Sequence, residues 1–234
     1  MKRLAILSGA GVSKESGINT FRDSNGLWEQ YPVEEVASIE GWYKNPQLML
    51  RFYNMRRKDL QSREPNKAHK IIAELEKHFK IDVITQNVDN LHERAGSTNI
   101  IHLHGELTKA RGEHSEYPVY DIGYEDINWG DKTPSGEQLR PHIVWFGEAV
   151  PKIDQAIDAV EAADILLIVG TSLQVYPAAG LYRYAKTDIP IYIIDPKDVP
   201  LRDSRVRHIK DVATSGMETL LSLLSSERRD GSKQ

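Results

Sequence analysis

Two histidines spaced two apart, His102 and His104 in NIIHLHG (99–105), carry the side chain whose unperturbed pKa, about 6.5, lies nearest working pH. If that run is a strand, alternation sends both rings to one face at its end, where a histidine serves as general base or as a hydrogen-bonded structural residue. A second apolar run ends in TQNVDN (85–90), whose Gln86, Asn87 and Asp89 form a cluster of short polar side chains. Alone, that cluster reads equally as an Asn/Asp turn. The amino-terminal run RLAILSG (3–9) leads into GAGVSKESGINTFRD (9–23). There Gly9 and Gly11 fit the first half of the G-x-G-x-x-G phosphate fingerprint, but Gly17 arrives three residues late for its third glycine. Phe21 is suited to lie over a flat ring, and Arg22 has the guanidinium fork that pairs with phosphate or, at a surface, with Asp23. Gly170, Thr171 and Ser172 close a further apolar run, and small residues there let backbone N–H groups approach phosphates, or simply make a turn. The glycine pair's place directly after a strand favours a nucleotide site, and the other groups keep both readings.

Holding such groups together takes an α/β sheet, because ligands bind outside the carboxyl ends of its strands. Short apolar runs rich in β-branched residues recur at 3–9, 81–87, 99–105, 142–148, 164–172 and 189–196, and suit strands buried on both faces. Helix-period segments at 66–79 and 151–163 lie between several of them, which predicts a Rossmann-like parallel sheet with helices on both faces. Residues 24–64, helical and polar, and 106–141, rich in Gly, Tyr, Asp and Glu, break this rhythm and predict a smaller inserted lobe. The main unit then comprises approximately 1–23, 65–105 and 142–224, all within one domain of 1–234, and 225–234 reads as a flexible tail.

With 30 basic and 34 acidic residues among 234, a net charge of −4 and no long like-charge run, the chain shows no grip for nucleic acid or anionic membrane. It has no cysteine, which excludes disulfides, thiolate metal sites and a cysteine nucleophile. Its longest apolar stretch, ADILLIVG, falls short of the roughly 20 residues of a membrane helix. The apolar run of MKRLAILSGAG ends too early for a secretory leader, so the protein reads as cytoplasmic, and nothing asks for more than a monomer.

These motifs resemble those of the sirtuins, NAD-dependent protein deacylases. The resemblance runs through GAGVSKESGINTFRD, TQNVDNLHERAG (85–96), LHGEL (103–107), RPHIVWFGE (140–148) and GTSLQVYPAA (170–179), in the family's order over nearly the whole chain. It implies that the glycine loop clamps NAD through Gly9, Ala10, Gly11, Ser13, Phe21 and Arg22. By the same resemblance Gln86 and Asn87 face the nicotinamide ribose and Asp89 holds the carboxamide. Gly170, Thr171 and Ser172 meet the phosphate side, Asp195 the adenosine ribose, and Ala213 completes the set. Ile193 stands where many relatives carry Asn, which weakens the match on the adenosine side. His104 is implied as the general base acting on the ribose hydroxyls, with His102 structural. Val144, Phe146 and Gly147 would receive an acyl-lysine peptide as an added strand. In the family the acyl oxygen attacks the carbon bearing nicotinamide and the 2′-hydroxyl then takes the acyl group, releasing nicotinamide and O-acyl-ADP-ribose. No protein nucleophile is required.

Most sirtuins carry two Cys-x-x-Cys pairs for a structural zinc, whereas Gly112 and Ser115 stand where the first pair belongs. No zinc is expected, and Tyr117, Tyr120, Tyr124 and Trp129 are candidates for an apolar substitute. Elsewhere, NPQLMLRFYNMRRKDLQ (45–61) places Leu48, Phe52 and Met55 on a buried helical stripe, with Tyr53 and Arg56 as surface neighbours three apart. A phenol and a guanidinium suit a carboxylate, although Arg51, Arg57 and Lys58 also allow a plain basic face. FYNMRR resembles the Tyr-x-x-Arg motif of class III sirtuins, and Ala37 matches the small residue of their wider pocket. The resemblance implies a preference for succinyl- or malonyl-lysine with some deacetylase activity. The alternatives are a mono-ADP-ribosyltransferase on the same fold, or a non-catalytic module that binds NAD, ADP-ribose or acyl-lysine.

Overall fold

The computed structural model describes residues 1–19, 31–199, 201 and 203–231, with side chains as far as Ser225. Phe21 and Arg22 lie outside the described residues. The strands in chain order are β1 Arg3–Ser8, β2 Lys80–Thr85, β3 Ile100–His102, β4 Gly105–Gly112, β5 Val119–Asp121, β6 Leu139–Ile143, β7 Ile165–Val169, β8 Ile191–Ile194 and β9 Val206–Ile209. Six of them form a parallel sheet in the order β3-β2-β1-β7-β8-β9. The strand order therefore reverses between β1 and β7, and a crevice opens beyond their carboxyl ends.

Alternation along the strands explains why the runs look continuously apolar. Leu4 and Ile6 of β1 face one core with Leu167 of β7, where they meet Ile72 of helix α5 (Lys67–Leu75) and Met217 of helix α8 (Ala213–Gly231). Ala5 and Leu7 face the other with Leu166, and helix α7 (Ile153–Glu161) covers them through Ala156 and Val160. Both faces are buried, so both phases of the period-two pattern are hydrophobic. Among the described residues no helix is long and apolar enough to cross a membrane.

A second lobe combines the helices α2 Val33–Val36, α3 Ile39–Lys44 and α4 Pro46–Gln61 with an antiparallel sheet in the order β5-β4-β6. Helix α4 is started by Asn45, whose side chain accepts from Leu48 N–H, and by Pro46 at a position whose amide has no helical partner. Its core contains Trp42, Met49, Phe52, Tyr53, Leu60, Leu107, Ile143 and Trp145.

Several expectations are corrected here. The run 142–148 is no strand of the main sheet: β6 pairs with β4, and beyond it Phe146 bridges Ser38 of the small lobe. The sixth strand is instead β9, whose mixed sequence VRHI and half-exposed edge position hide it from an apolar-run criterion. Helical backbone continues to Gly231, through part of the segment that reads as a tail. On α4 the buried stripe runs through Met49, Phe52, Tyr53, Arg57 and Leu60, while Met55 is exposed. Arg57 belongs to no basic surface: it donates to the Leu107 carbonyl at 2.6 Å, to Asn54 at 2.8 Å and to the Glu125 carbonyl at 3.0 Å. Those bonds tie α4 to β4 and to the loop after β5, and burial lowers the Arg57 pKa only to about 10.

Of the four aromatic residues expected to substitute for a metal, only Tyr124 packs on the lobe's core, with its hydroxyl accepting from Asn90. Tyr117 and Trp129 are exposed. The 112–115 stretch is held by the Glu137 carboxylate, which accepts from His114 N–H at 2.9 Å and from the Ser115 hydroxyl at 2.6 Å. A tetrathiolate zinc site does not fit a chain without cysteine. We expect Glu137→Ala to accelerate amide hydrogen exchange at 113–116 by tenfold or more, on the order of one lost charge-assisted bond, while β1 and β7 keep their protection. Unchanged exchange at 113–116 would show that Glu137 holds nothing there.

Candidate active site

The crevice between β1 and β7 is built by glycine on glycine. Gly9 N–H donates to the Val169 carbonyl at 3.0 Å and Gly11 N–H to the Gly170 carbonyl at 2.8 Å. Gly170 has φ +64°, and a Cβ there would lie 2.4 Å from the Val12 nitrogen. A side chain at either Gly11 or Gly170 would separate the two loops, so the second glycine is needed for packing against another strand's loop, whereas the late third glycine, Gly17, sits at φ +85° in a turn. Ala10 lies between these glycines, and Thr171 and Ser172 continue from Gly170. The Thr171 hydroxyl accepts from Gln86 Nε2 at 3.1 Å, joining the β7 loop to the β2 loop. The cradle left by these glycines fits the backbone approach that a dinucleotide's phosphates require.

Beneath it runs a directed hydrogen-bond network. Asn66 caps α5 and its N–H donates to His69 Nδ1 at 3.3 Å, so His69 carries its proton on Nε2, facing the Ser13 hydroxyl at 3.4 Å. Ser13 accepts from Asn87 Nδ2 at 3.0 Å and donates to Asp89 Oδ2 at 2.9 Å. Asp89 Oδ1 accepts from Leu91 N–H at 3.1 Å. Burial raises the Asp89 pKa, opposed by those two hydrogen bonds. The sequence motifs at 9–13 and 86–89 thus meet through Ser13, and His69 joins them unannounced. Its sequence signal was its position three residues after Asn66, the spacing of a capping box.

His92, from helix α6 (Leu91–Ala95), faces the Ser8 hydroxyl at 3.0 Å and stacks edge-on against His69 with centroids 4.9 Å apart. Burial lowers His69 to about 4 and His92 to about 3. Both folded values lie below the unfolded value near 6.5, so their contribution is complete above that pH and is lost as pH falls toward 4. His102 opposes this trend, because its pKa is raised. We expect the unfolding free energy to fall between pH 7 and 5 in urea titrations. His92→Asn should reduce the wild-type fall by about 2 kcal/mol. An identical pH dependence in the variant would contradict a buried neutral His92.

The two candidate histidines part company in the structure. β3 ends at His102, and the chain turns before Gly105 opens β4, so strand alternation does not relate them. His102 is fully engaged, with Nδ1 3.1 Å from the Asn87 carbonyl and Nε2 2.6 Å from Glu93. Burial opposes its charge, but the Glu93 pair prevails and raises its pKa. His104 is half-buried and makes one such bond, from Nδ1–H to the Gln86 carbonyl at 3.1 Å. A carbonyl only accepts, so the proton sits on Nδ1 and the Nε2 lone pair is the basic face. Burial lowers the His104 pKa, which keeps the ring neutral and able to accept a proton at pH 7.

The small lobe brings the remaining candidates alongside. Val144 N–H donates to the His104 carbonyl at 3.0 Å. Phe146 N–H donates to the Ala37 carbonyl at 2.9 Å, and Ile39 N–H to the Phe146 carbonyl at 3.0 Å. Phe146 is 51% exposed. At Gly147, φ is +91° and a Cβ would lie 2.8 Å from Ile39. The Arg56 guanidinium lies against the Tyr53 ring, 5.6 Å from its centroid, and 5.7 Å from that of Phe52. Burial raises the Tyr53 pKa, keeping a neutral phenol, and lowers that of Arg56, which the nearby Asp89 opposes. On the far side of the crevice, Asp195 follows β8 and accepts from Lys197 N–H at 2.9 Å. Ala213 opens α8 with its methyl in the core, and the adjoining Thr214 is tied to Glu15.

The Sir2 family model matches residues 9–177. An NAD-dependent protein deacylase of Bacteroides thetaiotaomicron is 54% identical over 230 residues, covering 96% of this chain and 98% of its own. One from Helicobacter pylori strain 26695 is 55% identical over 222 residues, covering 94% and 96%. Among solved structures, a mutant Sir2 homologue in complex with ADP-ribose superposes with a TM-score of 0.88 at 38% identity, over 97% of this chain and 94% of that one. A Sir2 homologue in complex with NAD gives 0.87 at 39% identity, over 97% and 90%.

Proposed function

The chain belongs to the Sir2 family, and we propose that it is an NAD-dependent protein-lysine deacylase that favours succinyl- and malonyl-lysine and retains some deacetylase activity. The single observation that carries the acyl preference is the Tyr53–Arg56 pair, a neutral phenol with a guanidinium 5.6 Å from its ring centroid, within the lobe that Phe146 bridges.

NAD supplies a ribose carbon that becomes electrophilic as its bond to nicotinamide breaks. Gly9, Ala10, Gly11, Gly170, Thr171 and Ser172 hold its phosphates, with Phe21 and Arg22 assigned to the same clamp. Gln86 and Asn87 orient the nicotinamide ribose, and Asp89 accepts from the carboxamide. The Ser13 hydroxyl, already committed to Asp89, keeps that carboxylate aimed. His104 Nε2 takes the proton from the ribose hydroxyls as the acyl group is captured, and Nδ1–H to the Gln86 carbonyl fixes its tautomer. Val144, Phe146 and Gly147 contact the extended substrate peptide, Phe146 through its exposed ring because its own N–H and carbonyl are bonded to Ala37 and Ile39, and Ala37 leaves room for an acyl chain longer than acetyl. Asp195 and Ala213 complete the adenosine end.

Nicotinamide release with NAD, with and without a succinyl-lysine peptide, tests the reading. Release that requires the peptide and matches the free lysine formed, one for one, supports it. Release without deacylated peptide would move the assignment to a mono-ADP-ribosyltransferase. No release with any acyl-lysine peptide would leave a binding module.

A further inference from the structure

We propose that Trp145 determines acyl specificity by fixing the direction of the Tyr53 hydroxyl proton. The inference rests on the carboxyacyl reading above. Trp145 stands between Val144 and Phe146 with its side chain on the opposite face, buried in the small lobe. A buried indole N–H needs an acceptor, and here it donates to the Tyr53 oxygen at 2.8 Å. An indole nitrogen is a donor only, so Tyr53 accepts from Trp145 through an oxygen lone pair. The hydroxyl still has its own proton to offer. Two donor groups, Tyr53 O–H and Arg56, then meet an incoming acyl chain, and an acceptor-only carboxylate satisfies both. An acetyl methyl satisfies neither, and a neutral amide at the same place would present a misplaced donor.

The indole is held in that orientation from behind. Its ring lies on the Arg140 guanidinium at 3.5 Å and beside Trp42 at 5.3 Å. Arg140 is clamped by the Glu148 carboxylate at 2.8 and 2.9 Å and by the Ile143 carbonyl at 3.0 Å. The same carboxylate accepts Trp145 N–H at 2.8 Å and reaches Arg111 at 3.3 Å. Glu148 thereby sets the backbone that meets the peptide and the ring that polarises the acyl pocket. Phenylalanine at 145 would keep an aromatic ring against Arg140 while removing the indole donor and some ring volume, freeing Tyr53 to rotate.

The test measures kcat and KM for succinyl- and acetyl-lysine versions of one peptide with native protein, Trp145→Phe, Tyr53→Phe, the double variant and Arg56→Ala. Trp145→Phe should lower succinyl kcat/KM about tenfold, chiefly through KM, and leave the acetyl value within about twofold. The double variant should be no worse than Tyr53→Phe. Losses that are equal for both acyl groups, or that add in the double variant, would overturn the role of Trp145 while a selective Arg56→Ala leaves the carboxyacyl reading standing. An unselective Arg56→Ala would sink that reading, and this inference with it. In the native protein the Trp145 indole ¹H–¹⁵N resonance should move on binding the succinyl peptide and stay put with the acetyl one. Indifference to both would also overturn the proposal.

Discussion

His104→Ala is expected to lower deacylation kcat by about 10²- to 10⁴-fold, the range over which a positioned general base contributes. The imidazole is held by one bond, from Nδ1–H to the Gln86 carbonyl, and its other nitrogen is the basic face of the site. Removing the ring leaves the glycine contacts between the β1 and β7 loops untouched, so NAD affinity by calorimetry should change less than about threefold. A parallel loss of binding and turnover would mean that His104 is structural. The native pH profile offers a second check. Because burial lowers the His104 pKa, kcat/KM should rise with pH along a limb whose midpoint lies below the free imidazole value of about 6.5. A midpoint above that value would contradict a ring held neutral by its surroundings.

Arg56→Ala should separate the acyl groups. Hydrogen bonds to a charged group are worth about 1.5–3 kcal/mol, which corresponds to roughly 10- to 150-fold in kcat/KM for the succinyl peptide. The acetyl peptide has no carboxylate and should lose no more than about threefold. Arg56→Lys is expected to recover little, since an ammonium keeps the charge but lacks the planar fork. Stability should change modestly, because the neighbouring Arg57 carries the buried ties to Leu107, Asn54 and Glu125. The adjacent residues thus divide the work: Arg57 fastens the lobe, and Arg56 is the residue proposed to meet the acyl carboxylate with Tyr53.

The main sheet was legible because β1, β2, β7 and β8 are buried on both faces, which makes both phases of their alternation apolar. β9 was not, since an edge strand with exposed Arg207 needs no such pattern. The 142–148 run misled because its apolar residues serve a different sheet and a different core, and the hydrophobicity of Ile143 and Trp145 does not say which. On α4 the three- and four-residue spacing located the helix, but the buried face rotated toward Arg57, whose charge is satisfied by carbonyls that only the tertiary fold supplies. Most candidate site residues sit at strand ends, where glycine and short polar types announce a crevice. Trp145 and His69 were missed because each also has an ordinary structural use, and their partners, Tyr53 and Ser13, are 92 and 56 residues away. Likewise, nothing local marks Glu137 as the group that would hold 112–115.

The most direct measurement is a competition in one tube: equimolar succinyl- and acetyl-lysine versions of one peptide, native protein and NAD, with both deacylated products followed by isotope-coded mass spectrometry. The ratio of initial rates is the ratio of kcat/KM values and does not depend on the enzyme's active fraction. We expect the succinyl peptide to be consumed at least about tenfold faster, in line with one charge-assisted contact, with O-succinyl-ADP-ribose and nicotinamide as the co-products. Equal rates, or a faster acetyl reaction, would contradict the assignment of Tyr53 and Arg56 as a carboxylate clamp.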